Sequence, residues 1–282
     1  MIGFFTRSVF TILVALWCHL LFAQTGKSAG EGYSVGVVPQ FTSKEINQIW
    51  TPVLEELGKR AGIKLHLTPS RTIRYFEIDL ENASFDFAYA NPYQALIAFK
   101  KQGYIPLVRD SLPISGVLVV HKDSDYKKVS DLAGQLIAFP SPNALGASLL
   151  VRADLDAVYR ISFTPKYAAS HTAAYQSTLH RQSAATGGIE ATLNLLNTED
   201  KARLRVLYRT RETVSHPFMV NPRVSESVRQ KVQNAWLALS ADPAWNERLA
   251  QIPFNRLKKS TIDDYKILDS MNLEKFYIAP TN

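Results

Sequence analysis

Apolar positions along the chain recur in two rhythms, and the alternation between them gives the first picture of the fold. YSVGVVP (33–39) is a β-rich run closed by a proline, the pattern of a buried strand. In TSKE (42–45), Thr42 can accept from the amide three residues on while Glu45 reaches back, which is the spacing of a capping box. Ile46, Ile49, Trp50, Val53, Leu54 and Leu57 then follow at helical spacing until Gly62 stops the run. IKLHLTP (63–69) alternates and predicts a second strand, with His66 on its outward side. Thr72 caps a helix through Ile73, Phe76 and Leu80, and FDFAYANPYQALIAF (85–99) is a strand that breaks at Asn91-Pro92 into another helix.

The same alternation continues through the middle of the chain. GYIPLVRD (103–110) and SGVLVVHKDS (115–124) read as strands, and VSDLAGQLIAFPSP (129–142) carries a short helix into a strand. A helix from Asn143 to Val158, a strand around Ile161–Phe163, a helix from Thr172 to Gln182, the small-residue segment SAATGGIEATL (183–193) and the strand LRVLYRT (204–210) follow. From Pro222 the pattern turns helical, with Val228, Val232, Trp236 and Leu239 on one face. Strand-helix alternation over such a length predicts an α/β protein with mostly parallel sheets. The extended segments 115–123 and 213–222 each follow a complete α/β set and read as crossovers. They divide the chain into one lobe of 33–114 plus 220–282 and a second of 115–219, with a cleft between them.

Composition adds a compartment. Arg7 precedes an apolar run from Val9 to Phe22, broken only by Thr11, Cys18 and His19, and Ala23 offers a cleavage point. Residues 1–23 therefore read as a secretory signal, because a run of roughly 14 residues falls short of the roughly 20 that span a bilayer. The single cysteine leaves with that signal, so the remaining 259 residues carry no disulfide framework. The formal charge of the whole chain, +7, is scattered rather than striped, which suits mild attraction for anions and not nucleic acid.

Catalytic patterns are missing. The nearest approach to a nucleophile elbow is GAS at 146–148, which lacks the second glycine and the spacing. His66, His121, His171, His180 and His216 form no metal-ligand pair apart from His171 and His180, which are nine apart, and no phosphate-cradling glycine motif occurs beyond the weak GG at 187–188. These absences argue against an enzyme, and no cofactor or metal is expected. Binding has better material. Ligands of open α/β sheets sit where strands lead into helix N-termini. The strongest such junctions here are Ser70-Arg71-Thr72, Tyr89-Ala90-Asn91-Pro92-Tyr93, Ser141 through Gly146 and Ser170-His171-Thr172.

Three stretches in order, FDFAYANPYQA (85–95), KDSDYKKVSDLAGQLIAFPSPNALGASLL (122–150) and SHTAAYQSTLHRQSAATGG (170–188), resemble the phosphate/phosphite/phosphonate-binding family, the periplasmic components of ABC importers. The resemblance implies a two-lobed type II periplasmic binding protein fold with two hinge crossovers that closes on an oxyanion. It implies ligand contacts at Thr72, Tyr89, Asn91, Tyr93, Ser141, Asn143, Ala144, Leu145, Gly146, His171 and Thr172, and a Gly187-Gly188 turn beside them. The chain departs from the family at two places. Ala144, Leu145 and Gly146 stand where phosphonate binders carry consecutive hydroxyls, and Thr172 stands where an acidic residue would meet an amine. A hydroxyl bond to a charged oxygen contributes about 1.5–3 kcal/mol, so losing two weakens a phosphonate by about a hundredfold or more. The expected function is a periplasmic monomer that captures a small oxyanion, less charged or more apolar than the family's usual one, for the membrane permease of an ABC importer. The alternative is a protein of the same fold that signals to a membrane receptor or kinase.

Overall fold

The computed structural model describes residues 32–252, 254 and 256–280, and the expected secretory signal lies outside them. The chain runs β1 (Tyr33–Val37), α1 (Ser43–Ala61), β2 (Leu65–Thr68), α2 (Ile73–Glu81), β3 (Phe87–Tyr89), α3 (Pro92–Gln102) and β4 (Ile105–Asp110). It then passes through β5 (Ile114–His121), β6 (Leu136–Phe139), a π-helical stretch (Leu145–Leu150) continuing into α4 (Val151–Ala157), β7 (Thr164–Tyr167), α5 (His171–Leu179), β8 (Ala185–Ile189), α6 (Glu190–Asn194), α7 (Thr198–Ala202) and β9 (Leu204–Thr213). Finally it returns through β10 (Pro217–Val220), α8 (Glu226–Ser240), α9 (Asn246–Leu249) and β11 (Leu257–Lys259).

Local chemistry sets several of these boundaries. Thr42 and Glu45 form the expected capping box at the start of α1, and Gly62 ends that helix in the left-handed conformation at φ 65°. Asn91 caps α3 by accepting from the amides of Tyr93 and Gln94, with Pro92 in the first turn where no amide partner is needed.

Two mixed sheets result, ordered β11-β4-β10-β3-β1-β2 and β7-β6-β8-β5-β9. This corrects the expectation of mostly parallel sheets. Strands joined by helices pair parallel, as β1 does with β2 and β3, and β6 with β7 and β8. β10 instead runs antiparallel to both β3 and β4, and β5 antiparallel to both β8 and β9. A chain that leaves a sheet along one strand and returns along its neighbour must reverse direction, and this one does so on β4 and β10. The segments read as crossovers are themselves sheet strands, since 114–121 is β5 and 217–220 is β10. The passages between sheets are the short links 111–113 and 214–216, tied together where Ser215 Oγ donates to the Asp110 carbonyl at 2.6 Å. The strand expected at 161–163 lies at 164–167. Ile161 and Phe163 pack against the core of the second sheet from the connection before it.

The first sheet has an aromatic core in which the Trp236 ring lies 5.1 Å from both Phe218 and Phe254, and Trp50 lies 4.9 Å from Tyr89. Burying each such side chain contributes about 1.5–3 kcal/mol. Beyond β11 the chain lies across both sheet units. Asp264 pairs with Arg109 of β4 at 3.2 Å and Lys275 with Asp156 of α4 at 2.6 Å, which ties the C-terminal segment to both.

Candidate functional site

Where the two sheet units face one another, Val38, Gln40, Ile73 and Asn91 from the first meet Ala144, Leu145, Gly146, Ala147, His171 and Ile189 from the second, with His216 on the return link between them. They enclose about 10 Å³, room for about one water. Contacts across this junction are direct. The His171 amide donates to the Gln40 carbonyl at 3.1 Å, and Asn91 Nδ2 donates to the Asn143 carbonyl at 3.1 Å.

The second sheet places the start of the Leu145 helix by close backbone approach. A Cβ on Gly116 would lie 2.1 Å from the Gly146 carbonyl oxygen, and one on Gly187 would lie 2.1 Å from that of Ala147. Only glycine permits such contacts. The first bonds of this helix run from the amides of Ser148 and Leu149 to the Ala144 carbonyl. The amides of Leu145, Gly146 and Ala147 have no acceptor among the described residues, and no side chain caps them. Such amides, at the positive end of a helix, favour an anion.

Among the described residues, no Lys, Arg, Asp or Glu lines the cavity. Its two imidazoles are buried, and burial pushes both His171 and His216 down to about 3, with His171 adding to the effect on His216. Both are therefore neutral at pH 7. Gln40 Nε2 donates to His216 Nε2 at 3.3 Å, which leaves the His216 proton on Nδ1. Tyr89 stacks on the far side of His216, with centroids 5.4 Å apart and planes 20° from parallel.

Of the residues expected at the site, Asn91, Ala144, Leu145, Gly146 and His171 line the cavity. The others stand elsewhere. Thr72 caps α2 by accepting from the Tyr75 amide. Tyr89 is a core residue whose buried hydroxyl has no partner among the described residues, and burial raises its pKa. Tyr93 packs on Tyr277 with ring centroids 5.6 Å apart, and Ser141 is buried outside the lining. Thr172 faces a neighbouring groove of about 360 Å³. Asn143 is fully buried and acts as a clasp: its Nδ2 donates to Glu77 Oε2 at 3.1 Å and to the Ile278 carbonyl at 2.7 Å, while its Oδ1 accepts from the Ile278 amide at 2.9 Å. Glu77 also accepts from Gln94 Nε2 at 2.9 Å, and burial pushes its carboxyl up to about 7 against the lowering effect of those two bonds.

Sequence reasoning missed Val38, Gln40, Ile73, Ala147, Ile189 and His216. Val38 and Gln40 directly follow β1, so the strand-end rule applied to that first junction finds them. His216 and Ile189 carry no such signal, because they reach the cavity only through the hinge link and the end of β8.

No curated protein matches the chain in sequence. Among solved structures it is similar to a binding protein component of an ABC phosphonate transporter from Pseudomonas aeruginosa, at 14% identity over 86% of each chain and a TM-score of 0.77. It is also similar to PhnD1 from Prochlorococcus marinus in complex with methylphosphonate, at 14% identity over 87% of this chain and 98% of that one, TM-score 0.78. A Xanthomonas citri protein bound to chloride ion aligns at 15% identity over 86% of this chain and 98% of its own, TM-score 0.68. These likenesses establish a two-lobed binding-protein fold. The family model for the periplasmic substrate-binding protein of phosphonate ABC transporters matches residues 35–265, and the chain belongs to that family.

Proposed function

We propose that this protein captures a small oxyanion between the 145–147 amides and Gln40, where the lobes part beyond the one-water cavity described above to admit it, and delivers it to the permease of an ABC importer. Lobes of 33–110 with 217–280 and of 114–213 would swing about the links 111–113 and 214–216. Only the closed form brings both walls to the ligand, so the ligand selects it. The observation that carries this reading is the row of three acceptor-free amides at the lip of a cavity with no charged side chain. Such a site holds an anion by dipoles and hydrogen bonds, and excludes cations for want of a carboxylate. Methylphosphonate and chloride occupy structures of the same fold, in keeping with an anionic guest. The protein acts as an exported monomer carried out by the signal at 1–23.

Titration calorimetry of the protein without residues 1–23 against phosphite, methylphosphonate, phosphate and sulfate tests the reading. Saturable binding of at least one of them is expected. A folded protein that takes up none of the four refutes it.

A further inference from the structure

Residues 262–280 follow β11 in the first lobe, yet their end lies on the second. Asp264 pairs with Arg109 of β4 at 3.2 Å, and the Tyr277 hydroxyl donates to Glu81 Oε1 of α2 at 2.7 Å. From that base the strand of chain reaches the turn that opens the amide row. Asn143, directly before Ala144, donates to the Ile278 carbonyl and accepts from the Ile278 amide. Arg152 of α4 donates through Nη2 to the Pro142 carbonyl at 3.0 Å and to the Phe276 carbonyl. Leu145, Leu149 and Leu150 of the same helical stretch form one core with Tyr265, Leu268 and Leu273.

Arg152 is costly to keep there. It is 7% exposed and burial lowers its pKa. Its partners among the described residues are two carbonyls and the Tyr167 hydroxyl, with no carboxylate. A desolvated guanidinium without a counter-charge is unfavourable, and an apolar side chain of similar length would fill the space. What the planar fork adds is a single group that holds the turn at Pro142 and the C-terminal strap at Phe276 together.

We infer that Asn143 and Arg152 are positioning residues for the anion: they dock residues 276–278 on the second lobe when the cleft shuts, hold the 145–147 amides in place, and so set how long the guest is kept. This rests on the oxyanion reading above. Neither side chain lines the cavity. Parting the lobes takes Asn143 away from Glu77 and Asn91 and draws the second lobe from under residues 276–278, so these bonds belong to the closed form. Bonds made only in the closed form raise its population, and the apparent affinity rises with that population. By the same linkage, a bound anion tightens a strap that it does not touch.

The protein without residues 1–23 has no cysteine, so Lys44→Cys and Glu199→Cys take spin labels cleanly. These exposed positions adjoin Glu45 and Asp200, which line one groove from the two lobes. Label separation, dissociation rate and calorimetric affinity for phosphite, methylphosphonate, phosphate and sulfate are measured in this background and in Ile278→Pro, Ile278→Ala and Arg152→Met. Ile278→Pro removes the amide from which Asn143 accepts, whereas Ile278→Ala keeps it and trims a half-exposed side chain. Ile278→Pro and Arg152→Met are each expected to weaken the bound anion by about tenfold, the effect of one buried partner left unsatisfied. The loss should come from faster dissociation at an unchanged association rate, with a longer label separation at subsaturating anion. Ile278→Ala should match the parent, and in the parent the anion should slow amide exchange at 276–278. Ile278→Pro decides should Arg152→Met fail to fold. Variants that melt lower yet keep the parent's affinity, dissociation rate and label separation overturn the inference and leave the oxyanion reading intact. A folded parent that takes up none of the four anions overturns both.

Discussion

Acid should weaken this protein through its two cavity histidines, and Glu77 should blunt the loss. Lowering the pH from 7.5 to 5 leaves His171 and His216 neutral in the folded chain, because burial holds them at about 3, whereas in the unfolded chain each titrates near 6.5. A depressed folded pKa means stability that is present above 6.5 and drains away as the pH falls towards 3. At pH 5 this amounts to about 2 kcal/mol per histidine, or about 4 kcal/mol for the pair. Glu77 has the opposite sign. Its folded pKa is raised from 4.5 to about 7, so its protonated form is favoured by folding. That contribution is fully present below 4.5 and lost as the pH rises through 7. Between pH 7.5 and 5 it returns about 2.5 kcal/mol, leaving a net loss of about 1.5 kcal/mol from the three groups.

Urea unfolding of the wild type and of Glu77→Gln at both pH values separates these effects. The glutamine cannot titrate, so the variant should lose about 2.5 kcal/mol more on acidification than the wild type. Any constant penalty from turning an amide group towards Asn143 is the same at both pH values and drops out of the difference. Equal acid losses in the two proteins would refute the reasoning, as would a wild type more stable at pH 5 than at 7.5.

Gly187→Ala places a methyl 2.1 Å from the Ala147 carbonyl oxygen; it should destabilise by about 1–3 kcal/mol, seen as a lower melting temperature, and an unchanged melt would show that the helix start is free to retreat. Asn143→Ala strips partners from Glu77 Oε2 and from both backbone groups of Ile278. At about 1–3 kcal/mol for each buried group left unsatisfied, it should speed amide hydrogen exchange at residues 273–280, and protection equal to wild type would contradict the clasp. Tyr89→Phe removes a buried hydroxyl without a partner among the described residues, so its melting temperature should hold or rise. A drop of several degrees would mean that the hydroxyl has an unseen partner.

The sequence alone determined what is local. Thr42 with Glu45, Asn91 with Pro92, and Gly62 announce helix ends because a cap involves residues within a few positions of one another, and apolar periodicity marks which faces must be buried. The family resemblance rested on such junctions too, and five of the eleven lining residues came from them: Asn91, Ala144, Leu145, Gly146 and His171. What only tertiary structure decided is what each junction residue faces. Asn91 and Asn143 look alike in the sequence, yet one lines the cavity and the other clasps the C-terminal segment 135 residues away. Ile189 and His216 entered the site because two sheets meet there, and Gly146 is small because Ile189, 43 residues later in the chain, already fills its space. Periodicity reports whether a residue is buried. Its partners are fixed by pairings between distant segments, and these depend on sheet order and direction, which no local pattern encodes.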